Sequence, residues 1–245
     1  MYDSVRKLVY MSNNSWYQGV YNDLYRGLIQ DDRWKLYISG TGITLLLAAV
    51  ACLMGIVIGV FVSIGKYYGT RRKAGPVAKF IGKVCEVYTT VIRGTPIVLQ
   101  LLIIYSLTVW TKGTYACMIG FGINSGAYIA EIFRSGINSI DIGQTEAGRS
   151  LGLSEGTTML RIILPQAIKN VLPALFNEFI ALVKETSVAG YIAVRDITKV
   201  ASSIKGTYFI SSPLYIAAFI YLFLVLLLTR LQNKLERRLA RSDRG

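Results

Sequence analysis

The chain has no histidine, three cysteines and little charge, and each scarcity removes a class of function. There is no imidazole and no thiol beside a base, and no catalytic constellation appears. Cys52, Cys85 and Cys117 are odd in number, widely spaced and in or near apolar spans. That fits neither a metal cluster nor a disulfide framework, and they read as small core residues. No glycine-rich phosphate loop of the Walker type occurs, so nothing in the sequence hydrolyses ATP and no cofactor or metal is expected. No internal repeat is evident, which weakens an inverted-repeat transporter. The first 35 residues lack an apolar h-region and a cleavage site, so no signal peptide is expected. Only 17% of residues are charged, against about 25% in soluble domains. With 53% hydrophobic residues and a mean hydropathy of +0.44, the chain reads as an all-α, polytopic membrane protein.

The charge that is present is lopsided: 27 Lys and Arg against 14 Asp and Glu, a net +13. A basic balance can signal nucleic acid. Here the basic clusters lie between apolar spans, where they mark cytoplasmic flanks, and no nucleic acid is expected. Thr41 to Gly65 is uncharged for 25 residues and Gly206 to Thr229 for 24, each long enough to cross a bilayer. Residues 66 to 83 carry Lys66, Arg71, Arg72, Lys73, Lys79 and Lys83 without an acid, which puts this loop inside and the N-terminus outside. A second span is expected over 79–110, a short outer turn at 111–114, a third span over 115–137 and a fourth from Pro165 to about Val188. An outer loop is expected over 189–205, then the fifth span and a basic cytoplasmic tail from 233. Residues 1–39 hold Trp16, Tyr17, Tyr21, Leu24, Tyr25, Leu28 and Trp34. Their aromatic rings and helical spacing predict an outer-face interfacial helix.

Between the third and fourth spans lies a polar island, 138–164. Gln144 to Leu151 can form two helical turns with Glu146 near the positive end. Gly152 is a natural left-handed stop, Ser154 can cap a second helix, and Pro165 closes it. On the same topology the island is cytoplasmic, a compact knob with room for a partner's groove, or a plain surface hairpin. The charges inside spans are costly and mark functional candidates. Glu86 and Arg93 are seven apart and share a helical face. Pro96 frees a carbonyl and can break the helix beside Arg93. Arg93 then either pairs with Glu86 or meets a substrate carboxylate. Glu131 and Arg134 are spaced to pair, while Glu131, Glu178 and Glu185 keep a proton-coupled secondary transporter open as an alternative.

The spacing Glu146-Ala147-Gly148, three residues, Gly152, nine residues, Ile162, one residue, Leu164-Pro165 resembles the EAA loop of type I ABC importer permeases. That family usually has alanine where this chain has Gly148, one small residue for another. Ile92-Arg93-Gly94-Thr95-Pro96-Ile97-Val98-Leu99-Gln100-Leu101, Gly126-Ala127-Tyr128-Ile129-Ala130-Glu131-Ile132-Phe133-Arg134, Gly143-Gln144, Leu164-Pro165-Gln166-Ala167 and Lys184-Glu185-Thr186-Ser187 resemble the signatures of its polar amino-acid (histidine, glutamine, arginine) subfamily. The turn at 111–114 is shorter than is usual there. The resemblance covers roughly 40–232, and the expected permease domain has those bounds. It implies a type I importer permease fold with five spans in the bacterial cytoplasmic membrane. The first loop helix would dock into an ATPase cleft, with Glu146, Ala147, Gly148, Gly152, Leu153 and Pro165 at the coupling site. The substrate pathway would draw on Arg93, Gly94, Thr95, Pro96, Gln100, Tyr128, Glu131, Lys184, Thr186 and Ser187, the last three lining it or sealing it against another subunit. The implied partners are two cytoplasmic ATP-binding subunits, a second permease (identical or homologous), an extracytoplasmic amino-acid-binding protein and the bilayer. A type I permease for another small solute is the near alternative.

Overall fold

A computed structural model describes residues 16–71, 74–107 and 112–241. Asp3, Arg6, Lys7, Arg72, Lys73, Thr111, Asp243 and Arg244 of the charge and turn patterns lie outside the described residues.

Every regular element among them is helical. Helix α1 is Trp16–Leu28, and a 3₁₀ turn, Gln30–Asp32, leads to α2, Trp34–Gly69. Asp31 and Asp32 both take φ of 56°, a left-handed conformation that aspartate tolerates, and the helix breaks there. Buried Arg33 braces the break: it donates to Arg26 O, pairs with Asp31 at 2.8 Å and lies 3.7 Å from the Tyr208 ring centroid. Then follow α3 (Pro76–Gly94), α4 (Ile97–Leu107), α5 (Gly113–Asn138), α6 (Ile142–Ser150), α7 (Glu155–Thr158), α8 (Leu164–Glu185), α9 (Ile197–Tyr208) and α10 (Ser212–Arg241).

Four helical runs are long and apolar enough to cross a membrane: Gln30–Gly69, Gly113–Asn138, Glu155–Ile192 and Ser212–Leu239. The pair α3 and α4 makes a fifth only if taken together, and it bends by 110°. The second span is therefore no straight rod. Thr95 is extended (φ −119°, ψ 146°) before Pro96, as the residue preceding proline prefers.

The centre of the fold is the α2–α5 crossing, built on small residues. A Cβ on Gly59 would sit 2.6 Å from Ile129 Cγ2, and one on Gly126 would sit 2.6 Å from Ile58 Cγ2. In a bilayer, where lipid is as apolar as leucine, such close backbone approach is a main source of helix association. Leu47, Ala48, Ala51, Phe121, Leu182, Val183 and Ile197 are fully buried around it. The outward faces carry large apolar groups instead, Phe61 at 70% exposure and Phe219 at 71% among them.

Two boundaries differ from expectation. Residues 189–205 are not a loop: a 3₁₀ turn, Thr186–Ile192, precedes α9, which buries Ile197, Val200, Ala201 and Ile204. That i, i+3, i+4, i+7 stripe is amphipathic; Lys199 and Lys205 lie off it, while Arg195 and Asp196 precede the helix. Asp196 caps α9, accepting from the Thr198 and Lys199 amides at 3.0 and 2.9 Å. Burial pushes its carboxyl up from the ordinary value, opposed by those same amides. The last span accordingly starts at Ser212 rather than Gly206, and it continues as one helix through the basic tail to Arg241.

Candidate functional site: a projecting hairpin and a charged cleft

The polar island folds as a tight helical hairpin. Asp141, not singled out by the sequence, opens α6, and its Oδ1 accepts from the Gly143 amide at 2.6 Å. A carboxylate suits this end, where helical amides are unpaired and the dipole is positive. At the other end Gly152 has φ +75°. The Leu153 amide donates to Gly148 O at 3.1 Å and the Gly152 amide to Arg149 O at 3.0 Å. Those two bonds define a Schellman stop. Ser154 then caps α7, its Oγ accepting from the Thr157 amide at 3.2 Å.

The two arms meet at Gly148 and Thr158, both buried. A Cβ on residue 148 would lie 2.7 Å from Thr158 Cγ2 and 2.9 Å from Thr158 Oγ1. The substitution at 148 is thus less innocent than its size suggests, since alanine fits only if Thr158 yields. Pro165 does not close the hairpin. Helix runs from Glu155 to Glu185, and the five residues before Leu164, Met159–Ile163, widen into a π turn. The proline, which has no N–H, follows a ladder already interrupted.

Glu146 and Ala147 face outward. At the ends of this polar helix Ile142 is 75% exposed and Leu151 79% exposed. Apolar side chains held out beyond the spans are suited to a partner. Arg71, on the loop after α2, reaches Glu155 Oε1 at 2.5 Å while stacking on Tyr67, 4.8 Å from its centroid. The basic loop and the hairpin therefore lie on one face of the molecule, as their charge patterns imply.

Deeper in, Glu131 of α5 is a hub. Its Oε1 meets Lys66 Nζ at 2.6 Å, and its Oε2 meets Arg134 Nε at 2.8 Å and Arg93 Nη1 at 3.8 Å. The Arg134 pair is as expected. An Arg93–Glu86 pair does not form: Glu86 takes Lys83 at 2.8 Å. Seven residues place two groups on one face but about 10 Å apart along the axis, and Glu131 on the neighbouring helix is closer. Arg93 also lies 5.3 Å from the Tyr128 ring centroid. These groups border a cleft of ≈ 640 Å³ whose wall includes Arg93, Tyr128, Glu131, Arg134, Asn170 and Glu178. Glu178 accepts from Ser125 Oγ at 3.1 Å. The cleft thus offers both a half-exposed guanidinium and carboxylates, which suits a zwitterionic solute.

The other expected pathway residues separate. Gly94, Thr95 and Pro96 form the break between α3 and α4. Gln100 splints it: Nε2 donates to Ile92 O at 2.7 Å, Thr95 O at 3.0 Å and Thr95 Oγ1 at 2.8 Å, and Oε1 accepts from Asn124 at 3.0 Å. Non-helical backbone at membrane depth needs such partners. Thr186 is buried and donates to Val183 O at 2.8 Å. Lys184, Thr186 and Ser187 do not line the cleft. Asn170 is a cleft-side group that the sequence does not single out, and Lys66, legible only as part of the basic loop, pairs with Glu131 from outside the cleft. Glu178 was legible there only as an intramembrane acid.

The family model described as binding-protein-dependent transport system inner membrane component matches residues 55–241. The arginine transport system permease protein ArtQ of Bacillus subtilis (strain 168) is 38% identical over 212 residues, covering 84% of this chain and 93% of that protein. A putative glutamine transport system permease protein, GlnP of Rickettsia bellii (strain RML369-C), is 36% identical over 208 residues, with 82% and 92% covered. A crystal structure of an amino acid ABC transporter with histidines superposes with a TM-score of 0.77 at 40% identity, covering 83% of this chain and 94% of that one.

Proposed function

Because the chain belongs to the binding-protein-dependent transport system inner membrane component family, we propose that it moves a polar amino acid through the cytoplasmic membrane as the permease subunit of an ATP-driven ABC importer. It is a membrane component, crossing several times, and not itself an enzyme. The observation that carries the coupling role is the hairpin: a short capped helix, α6, whose exposed Ile142 and Leu151 project beyond the spans while α5 and α8 continue directly from its two arms. A push on α6 is delivered to both spans, and α5 carries Glu131.

In this reading two ATP-binding subunits receive the α6 knobs of two permeases, and a binding protein delivers the amino acid from outside. The N-terminus and α9 lie on the outer side. The paired permeases alternate between outward- and inward-open states, and ATP drives the exchange only through contacts that differ between them. Glu146, Ala147, Gly148, Gly152 and Leu153 form the knob, with Pro165 at the start of the span it drives. In the cleft Arg93 meets the substrate carboxylate, with Tyr128 and Glu131 setting its position. Gly94, Thr95, Pro96 and Gln100 hold the broken helix that presents it. Lys184, Thr186 and Ser187 belong to the opposite end, where they close the pathway. The relatives' printed substrates, arginine and glutamine, support a polar amino acid.

The test is reconstitution in liposomes with its ATPase and binding protein, reading uptake of labelled arginine, glutamine and histidine. Uptake that requires enclosed ATP and hydrolysis on the ATPase is expected. Uptake that follows an imposed proton gradient without the ATPase would replace this reading with a secondary transporter. ATP-driven uptake of a different solute alone would overturn the amino-acid assignment.

A further inference from the structure

Beside the pathway, and separate from the knob, lies a second cleft of ≈ 460 Å³ between the end of α2, α3 and the end of α5. Lys66, Lys79, Lys83 and Arg134 line it against Glu86 and Glu131, so four cations face two carboxylates. Both carboxylates are already engaged, Glu86 by Lys83 at 2.8 Å and Glu131 by Lys66 at 2.6 Å and Arg134 at 2.8 Å. Lys79 is exposed and enters no ion pair among the described residues. At its floor α2 and α3 cross on glycine, backbone against backbone: a Cβ on Gly69 would meet Gly82 Cα at 2.5 Å.

Helix α3 is two-faced. Lys79, Gly82, Lys83 and Glu86 line the cleft, while Val77, Phe80, Val84 and Val87 form a neighbouring stripe, each at least half exposed. Cationic groups with surplus charge at a span's end, next to an apolar wall, match an amphiphile with an anionic head and acyl tail. Basic pockets on the cytoplasmic side of membrane helices take anionic lipid headgroups in this way.

We propose that this cleft binds the phosphate headgroup of an anionic phospholipid, with Lys79 and Lys83 as its principal contacts and the α3 apolar stripe carrying the acyl chains. The site rests on the basic loop lying at the inner leaflet, and it stands whatever solute the permease carries. Occupancy fixes α3 against α2 and α5, on the far side of Glu131 and Arg134, which the two clefts share as a wall.

The full chain, purified in detergent, is titrated with phosphatidylglycerol, phosphatidylcholine or inorganic phosphate, and retained lipid is counted by native mass spectrometry. Wild type should retain phosphatidylglycerol and not phosphatidylcholine. Lys79→Gln/Lys83→Gln should weaken retention on the order of tenfold, given the typical contribution of a basic residue at an anionic surface. Lys234→Gln/Arg238→Gln, in the basic tail and outside the cleft lining, should leave it unchanged. Because Lys79 makes no ion pair, Lys79→Gln alone keeps the fold and should still weaken retention severalfold. Equal losses in the cleft and tail variants would mean general charge attraction and overturn the site. So would undiminished retention in the cleft variants. Displacement of the lipid by millimolar inorganic phosphate would assign the cleft to a free anion and overturn the lipid.

Discussion

Gly148 offers the sharpest physical test of the hairpin. Replacing it with alanine adds one methyl group to the first arm, 2.7 Å from Thr158 Cγ2 and 2.9 Å from Thr158 Oγ1. Two effects oppose each other. Alanine is the better helix former by about 1 kcal/mol, while overpacking a tight contact costs about 1–3 kcal/mol. Thr158 is β-branched with its Oγ1 bonded to Ser154 O at 3.1 Å, so it cannot rotate away freely. The net for Gly148→Ala is a loss of about 0–2 kcal/mol. Thr158→Ala alone opens a gap and removes that hydrogen bond, and it also destabilises. Together they fit, because the remaining neighbour, Ile162 Cδ1, is 3.3 Å away. The double mutant should therefore be more stable than the sum of the single effects predicts, with a coupling of about 1–3 kcal/mol. Amide exchange at Gly152 and Leu153, whose N–H groups close the α6 stop, reads this opening locally, and about 1.4 kcal/mol appears as a tenfold change in rate. Additive effects within about 0.3 kcal/mol would show that the arms do not press on each other as described.

Other perturbations probe the remaining parts. Glu131→Gln strips the shared partner from Lys66, Arg134 and Arg93 and should cost about 3 kcal/mol, read as a lowered melting temperature in detergent; Glu131→Gln/Lys66→Met should recover part of it, and no recovery would deny the pair. Gln100→Leu leaves the Asn124 amide and the carbonyls at the helix break short of partners, at about 2–4 kcal/mol, and should lower melting more than Asn124→Leu, which keeps the splint to Ile92 and Thr95. Arg93→Ala should abolish uptake with assembly intact, and wild-type uptake would remove Arg93 from the pathway. Glu146→Lys or Leu151→Glu should release the ATPase on purification while membrane insertion stays normal; co-purification at wild-type level in both would refute docking at α6.

What was legible depended on distance along the chain. The Schellman stop at Gly152 and the cap at Ser154 are local: each uses groups within about one turn, and residue type names them. The Glu131–Arg134 pair is local for the same reason. Arg93 could not be assigned in this way, because its choice between Glu86 and Glu131 is settled by how α3 lies on α5. Helix α9 was hidden by charge, since Arg195, Lys199 and Lys205 interrupt the apolar run although their neighbours repeat with helical period.

By itself the sequence determined a membrane protein of several apolar spans, a polar hairpin between two of them and the family to which its motifs belong. Runs of uncharged residues, caps and glycine stops act through short-range chemistry, and they survive without knowledge of any neighbour. Only the tertiary structure decided that the second span bends by 110°, that Gln100 splints the bend and that Lys66, Arg93 and Arg134 converge on Glu131. Those outcomes depend on which helices touch. The crossing of α2 and α5 on Gly59 and Gly126 sets that, through space a side chain would otherwise fill.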